Sequence, residues 1–491
     1  FYRHKTTLSQ GIGKFKIALT DEFENNLFKS VFTNTLMPRT YQFWDWEASI
    51  SNADSARNNI KVFYRERRDM QAYNNVLKDS TYAQNIGAQA GIYSIKNHPI
   101  TFYLTYRELH LKNVVSATLK PDNSLLTRVE YSPRLIKGFI SSTLFYESGY
   151  GLENKKEFYY LEVPPGQGQY AWNDYNGNNI KELNEFEIAQ YPDQARFIRI
   201  FTPTNQYVKV LQNQMSFSFN LRPSVLVKER TEGFGKFLGR FATQSVFRVD
   251  NKTYDNGQFF NYDFYSSNVS DTALLSANYA LRQSLFFNQT ATVFGIDYTF
   301  LNNKNKQLLL NGFDSRDNLS HEIRWRLNFK KSWSILSNNS GGIKYYASQY
   351  FSSRNYKIEY YDAEQKLNYQ PSTAFRVSLI YRYAQKQNIN EGGFQKSLIN
   401  DYAVELRYNE SEKGSFNMRA DFLTITYNDI ESSPIAYEML NALKPGYNYT
   451  WNLNYQRNLT GNIQVSINYE GRKMPNSKVV HLGGAQVRAF F

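Results

Sequence analysis

The stretch WNLNYQRNLTGNIQVSINYEGR, residues 451 to 472, alternates apolar and polar side chains on both sides of a tight break. The apolar positions are Trp451, Leu453, Tyr455, Ile463, Val465, Ile467 and Tyr469, and the polar ones between them are Asn452, Asn454, Gln456, Gln464, Ser466, Asn468 and Glu470. Because successive side chains of a strand point to opposite faces, the pattern predicts a β-hairpin with one apolar and one polar face. The apolar face would pack on a second sheet in a soluble sandwich and would meet lipid in an outer-membrane barrel.

Composition favours the membrane alternative. The chain has 491 residues, more than one soluble core usually organises, yet no long linker rich in Ser, Gly or Pro divides it. It contains 39 Tyr, 36 Phe and 6 Trp, so that 16% of its residues are aromatic, although its mean hydropathy is that of a polar protein. A barrel with aromatic girdles and a wet interior accounts for both properties.

Several classes of function are disfavoured by the residue inventory. The absence of cysteine excludes disulfides and thiolate metal sites. The five histidines have no metal-binding spacing, and none lies beside a plausible nucleophile, so the sequence does not predict an enzyme. The net charge of +13 is attributed to Lys and Arg that face lipid headgroups or an acidic partner, since no nucleic-acid-binding signature is present.

The C-terminus fixes the expected orientation of the strands. The ending HLGGAQVRAFF, residues 481 to 491, resembles the assembly signal of bacterial outer-membrane proteins, so the last strand should end in the periplasm. Connections counted backwards then alternate between short periplasmic turns at 459–462, 409–415 and 370–373 and longer outer loops at 429–446, 388–396, 302–318 and 251–270. A phase slip of the alternation within 416–427 predicts a β-bulge.

These patterns predict an all-β fold, a large antiparallel transmembrane β-barrel that occupies residues 1–491. At the usual length of a strand with its connection, we expect roughly 18 to 24 strands, long extracellular loops and short periplasmic turns. Residues 222–239 form a periplasmic connection too long for a turn. The chain is expected to be the C-terminal part of a longer protein.

The strongest local motif is DYNGNNIKELNE, residues 174 to 185, in the predicted extracellular loop 164–205. Its spacing matches a twelve-residue calcium loop, whose oxygen ligands suit a hard cation. The candidate ligands are Asp174, Asn176, Asn178, the Ile180 carbonyl, Glu182 and Glu185. Asn179 replaces the glycine that makes the sharp turn of such loops, and Asn tolerates a positive φ better than most residues. A polar surface loop rich in turn-forming residues is the alternative.

Three segments resemble a known group of proteins. GQYAWNDYNGNNIKELNEFE at 168–187, together with NYEGRK at 468–473 and GGAQVRAFF at 483–491, is similar to the C-terminal region of large outer-membrane proteins of the Bacteroidota, mostly of unknown function. The resemblance implies a barrel in the outer membrane, preceded by a periplasmic or extracellular region. It also implies an association with secretion or outer-membrane assembly machinery.

The expected function follows from the fold and the resemblance. It is a transport or assembly component of a multi-protein cell-envelope complex, with outer-membrane lipid, lipopolysaccharide and other outer-membrane proteins or surface lipoproteins as partners. Calcium is the candidate cofactor, and no nucleic-acid partner is expected. The alternative is a self-contained solute channel or a TonB-linked receptor.

Overall fold

The structure is a computed structural model that describes residues 1–52, 57–112, 122–227, 233–254, 274–309, 312–410, 413–460 and 462–489. It contains one 24-stranded sheet, in which every pair of neighbouring strands with a described register is antiparallel. The strands are β1 (Tyr2–Ile12), β2 (Phe15–Asn26), β3 (Tyr41–Asn52), β4 (Asn59–Tyr73), β5 (Val76–Ile92), β6 (Ile100–Leu111), β7 (Asp122–Tyr131), β8 (Arg134–Leu135), β9 (Ile140–Glu162), β10 (Tyr170–Trp172), β11 (Phe186–Ile188), β12 (Phe197–Leu221), β13 (Phe241–Tyr254), β14 (Leu274–Phe287), β15 (Phe294–Leu309), β16 (Gly312–Phe329), β17 (Trp333–Ser348), β18 (Tyr356–Tyr369), β19 (Phe375–Asn388), β20 (Lys396–Glu410), β21 (Gly414–Tyr427), β22 (Gly446–Thr460), β23 (Ile463–Lys473) and β24 (Val480–Ala489).

Helical structure is confined to the connections. The described helices are α1 (Phe234–Leu238) and α2 (Pro434–Met439), and 3-10 turns lie at Ile136–Gly138, Leu183–Glu185, Pro223–Val225 and Ser352–Arg354. None of the helices in the described part of the chain has the length and apolar character needed to cross a membrane.

The hairpin at 451–472 is formed by β22 and β23. Leu453 lies opposite Tyr469, and Tyr455 lies opposite Ile467. All the strands that the structure describes belong to one sheet, so no second sheet covers Leu453 or its apolar neighbours. The soluble-sandwich alternative is therefore wrong.

One face of the sheet in residues 156–202, 227–244 and 280–491 is apolar and exposed. Leu379 on β19 is 54% exposed and its partner Val404 on β20 is 44% exposed, and the same row continues to Ala420 and Trp451. The other face buries charged groups such as Asp401. This distribution is the reverse of that in a water-soluble protein, and it is the arrangement in which lipid covers the apolar face.

The same arrangement holds within residues 1–155, 203–226 and 245–279, which form a second compact unit. Ile17, Ile50 and Val62 make an exposed apolar row across β2, β3 and β4. On the opposite face, Arg65 donates through Nε to Oδ1 of the buried Asp45 at 2.8 Å. The fold class is thus that of a large antiparallel transmembrane β-barrel, and the protein is located in the outer membrane.

The predicted bulge in 416–427 is wrong. β21 pairs without a register shift with β20 on one side and with β22 on the other. Met418 lies on the apolar face, whereas Leu423 and Ile425 lie on the opposite face and are buried there in a cluster with loop residues. The apparent phase slip therefore marks a second apolar surface, where a loop packs against the sheet.

The bounds of several predicted connections also differ. Residues 302–309 and 312–318 are strand, because β15 and β16 form one long hairpin. The expected loop 164–205 ends earlier, since β12 begins at Phe197. The connection 222–239 contains a 3-10 turn and α1, and its periplasmic position stays a prediction. Most of the loop expected at 251–270 lies outside the described residues.

Candidate functional site

Two long connections fold back onto the polar face of the sheet. The first, loop 163–196, joins β9 to β12, and the second, loop 428–445, joins β21 to β22. Both belong to the same compact unit of the chain. Their contacts with each other and with the sheet make them the candidate site.

Loop 163–196 is held by aromatic packing. Its strands β10 and β11 pair as a short antiparallel ribbon, and Tyr170 also pairs with Phe197 at the start of β12. The Phe186 ring stacks on Tyr160 with 3.9 Å between centroids and meets Phe197 edge-on at 5.0 Å. Aromatic pairs in these geometries add to the stabilisation from burial. The ribbon is therefore anchored to the ends of β9 and β12.

The candidate calcium residues lie at the tip of this loop. Asp174 accepts hydrogen bonds from the backbone N–H of Gly177 at 2.7 Å through Oδ1 and of Asn179 at 2.9 Å through Oδ2. Asn179 has a φ of 57°, so it makes the left-handed turn that glycine makes in calcium loops. The backbone therefore makes this turn although the residue at the position is asparagine and not glycine.

The other candidate ligands make hydrogen bonds inside the loop. Asn176 donates through Nδ2 to Glu182 at 3.0 Å, while the buried Glu185 accepts from Trp172 Nε1 at 2.8 Å. Asn178 accepts from the Ile180 backbone N–H at 2.6 Å, and Ile180 itself is exposed. No group of three His, Cys, Asp or Glu side chains that could hold a metal ion occurs in the described part of the chain. Calcium binding stays a prediction.

Loop 428–445 carries the helix α2. Ser433 caps this helix, because its Oγ accepts a hydrogen bond from the Ala436 backbone N–H at 3.1 Å. Ala436 and Leu440 are buried against Leu423 and Ile425 of β21. Burial of this apolar surface holds the loop on the polar face of the sheet.

The two loops are joined through one tyrosine. The hydroxyl of Tyr437 on α2 donates to the Ile188 carbonyl at 3.2 Å and accepts from the Gln190 backbone N–H at 3.3 Å. Burial raises the pKa of Tyr437 to about 12. Tyr191 also packs against the apolar cluster of the second loop. The loops therefore form one body.

Ion pairs tie this body to the rest of the unit. The pairs are Asp193 with Arg472 on β23, Glu187 with Arg354 in the turn at 352–354, and Glu438 with Lys344 on β17. Lys386 on β19 adds hydrogen bonds to the Glu438 carbonyl at 3.0 Å and to Asn441 Oδ1 at 2.7 Å. Anchors on several strands fix the position of both loops.

The Glu187–Arg354 pair is the most buried of these contacts. Arg354 donates through Nη2 to Glu187 Oε2 at 2.8 Å and to the Phe186 carbonyl at 3.0 Å. Burial raises the pKa of Glu187 to about 7, and the Arg354 charge opposes this rise only in part. The carboxyl thus titrates near neutral pH.

The contacts between the loops and the sheet were not predicted from the sequence. Asp193, Glu187 and Tyr437 carry no local motif, and their partners lie more than a hundred residues away. Two signals were available, namely the apolar run IAYEML at 435–440 inside a loop and the phase slip in β21. Both mark apolar surface that an exposed loop would not carry.

The sequence assigns no catalytic role to the five histidines. Each has a neighbour in hydrogen-bond or ion-pair reach: His4 and Asp21, His98 and Tyr131, His110 and Glu108, His321 and Tyr298, and His481 and Tyr469.

Comparison with known proteins gives structural similarity only. No family model and no curated protein matches the chain. The chain is similar to the siderophore receptor PirA from Pseudomonas aeruginosa, with a TM-score of 0.41 and 8% identity over 98% of this chain and 74% of that one. It is also similar to the FrpB iron transporter from Neisseria meningitidis (TM-score 0.38, 8% identity, 99% and 78% covered) and to the copper transporter OprC (TM-score 0.38, 9% identity, 99% and 77% covered).

Proposed function

We propose that the chain is a gated outer-membrane barrel that acts as a transport or assembly component of a cell-envelope complex. Loops 163–196 and 428–445 close the polar lumen, and their release opens it. Partner proteins, such as other outer-membrane proteins or surface lipoproteins, would supply the signal or cargo. Lipid and lipopolysaccharide surround the apolar face. The resemblance to Bacteroidota envelope proteins supports the same assignment.

The ion-pairing of both loops to the polar face is the observation that carries this proposal. A loop that served only as an external binding surface would have no need of anchors on β17, β19 and β23. Charged anchors accompany the apolar contact of α2 with β21. The polar groups of such anchors can exchange their protein partners for water when the loops leave, which buried hydrocarbon cannot do. Such contacts suit a pair of loops that docks on the sheet and is later released.

Conductance in planar bilayers tests the proposal. The purified chain should conduct little, and Arg472→Glu should increase the open probability because it places a carboxylate against Asp193. The matched control is Arg324→Glu on β16, which likewise places a carboxylate against its ion-pair partner, Asp297, on the polar face but is not among the anchors. Full conductance of the unmodified chain, or no change in Arg472→Glu, would contradict gating by these loops.

The alternative is a self-contained solute channel or a TonB-linked receptor. A channel would open in the bilayer without any added protein, whereas an assembly component would open only with its partners. A TonB-linked receptor would need energised inner-membrane protein for release. Measuring loop release in intact cells and in purified membranes separates these cases.

A further inference from the structure

We propose that a cleft beside loop 163–196 binds a small aromatic anion, such as an aryl carboxylate or an aryl phosphate. The cleft lies between the end of β9, the start of β12, the loop residue Phe186, the start of β16, the end of β17 and the turn at 352–354. All its lining residues belong to one compact unit. The proposal rests on the proposed function, because the ligand would bridge the loop and the sheet.

The charges of the cleft do not cancel. Arg199, Arg316 and Arg354 line it together with Asp314, and Glu187 pairs with Arg354. Three guanidinium groups therefore meet two carboxylates. Within the described residues, neither Arg199 nor Arg316 has a carboxylate at ion-pair distance.

The two unpaired arginines lie against rings instead of carboxylates. Arg316 lies over the Tyr346 ring at 5.1 Å, and Arg199 lies over Phe158 at 5.6 Å. A guanidinium that stacks on a ring keeps its N–H edge available for a planar oxyanion. Arg354 contributes as well, since its Nε is buried without a hydrogen-bond partner.

Desolvation makes these free donors significant. Arg316 and Arg199 are partly buried, and arginine cannot lose its proton at any physiological pH. Asp314 offsets part of this charge, but the guanidinium groups outnumber the carboxylates. The excess positive charge, partly removed from water, costs free energy that a bound anion returns. A carboxylate or phosphate group is therefore the ligand group that the cleft lacks.

The aromatic side chains that line the cleft indicate what the rest of the ligand should be. Besides Tyr346 and Phe158, the cleft is lined by Tyr160, Tyr350 and Phe351. Tyr350 is 63% exposed and packs edge-on against Phe351 at 4.7 Å, so an apolar ring surface remains open at the mouth. A flat aromatic body attached to the anionic group would stack on these rings.

Titration calorimetry of the full chain in detergent micelles tests the inference. Phenyl phosphate is the probe, and inorganic phosphate is the comparison ligand. Phenyl phosphate should bind saturably and more tightly than inorganic phosphate, and Arg316→Gln should weaken its binding by about tenfold or more because a charge-assisted pair is lost. Arg324→Gln is the matched control, since Arg324 lies on the same face of β16 and already pairs with Asp297 at 2.7 Å.

Different results of these titrations would overturn different parts of the proposal. Equal affinity for the two ligands would overturn the aromatic part of the proposal, and equal losses in Arg316→Gln and Arg324→Gln would overturn the site. A second variant, Tyr350→Ala, should weaken phenyl phosphate but leave inorganic phosphate unchanged, which a folding defect would not do. Absence of binding in a chain whose conductance still responds to Arg472→Glu would refute the ligand site and leave the gating proposal intact.

Discussion

Arg472 binds Asp193 through both carboxylate oxygens, although 279 positions separate the two residues in the sequence. The same guanidinium lies over the Tyr191 ring at 4.5 Å, so loop 163–196 meets β23 through one charged and one aromatic contact. Both partners are largely shielded from solvent. The pair thus joins the loop to β23, a strand near the C-terminal end of the chain.

Charge reversal at this pair should release the loop. In Arg472→Glu the partly buried carboxylate of Asp193 loses its partner and meets a like charge, which costs up to about 3 to 5 kcal/mol of docking free energy. Limited proteolysis should then cut loop 163–196 faster. The exchange Asp193→Arg with Arg472→Asp should restore protection in part, and protection of the loop in the single variant would contradict this assignment.

The two faces of β22 should respond oppositely to charge. Leu453→Arg places a guanidinium on the lipid-covered face and should cost about 2 to 4 kcal/mol of unfolding free energy if the position lies near the bilayer midplane. Asn454 is the next residue, lies on the polar face and is itself exposed, so Asn454→Arg should cost little. Urea unfolding of both variants in lipid vesicles measures the difference, and equal costs would contradict the lipid assignment.

Docking of loop 163–196 should strengthen as the pH falls. Burial raises the pKa of Glu187 from 4.5 to about 7, so the docked loop favours the protonated carboxyl. The stabilisation is complete below about pH 4.5 and is lost as the pH rises through 7, a change of docking on the order of a hundredfold. Proteolysis rates of the loop between pH 5 and 8 should follow this profile. Glu187→Gln should make the profile flat, and an unchanged profile in that variant would assign the pH dependence to another group.

Calcium removal provides a separate test of the tip of this loop. With neutral Asn ligands and no glycine at the turn, the affinity should be of the extracellular class, about 10⁻⁴ to 10⁻³ M. A chelator should then expose residues 164–196 to protease without unfolding the sheet, and Glu182→Gln should mimic the chelator. Identical cleavage with and without calcium would leave the segment an ordinary polar loop.

Loss of the apolar contacts of loop 428–445 should release the loop without lowering the stability of the sheet. Leu440 is 1% exposed within the cluster that joins α2 to β21. Leu440→Ala should weaken docking of this loop by about 2 to 5 kcal/mol, because it leaves a cavity. Hydrogen exchange should rise in 428–445 while β20 and β21 stay protected. Global unfolding in this variant would show that the loop is part of the core.

Strand alternation was sufficient to predict the fold, because a period of two is a local property of the sequence. Leu453 and Asn454 were assigned to opposite faces from the sequence alone. Leu423 and Ile425 were misread for the same reason, since alternation cannot tell an inward apolar residue that meets a loop from a bulge. The anchors of the loops join residues that are distant in sequence, and only the folded chain brings Glu187 to Arg354.

The apolar contact between α2 and β21 also bears on how long an open state can last. When loop 428–445 departs, Leu423 and Ile425 meet water instead of Leu440, so the open form carries a hydrophobic penalty that the closed form lacks. Thermal opening should therefore be brief and rare. Sustained opening requires another molecule to cover the surface of Leu423 and Ile425. A longer lifetime of the open state would then indicate that such a molecule is bound.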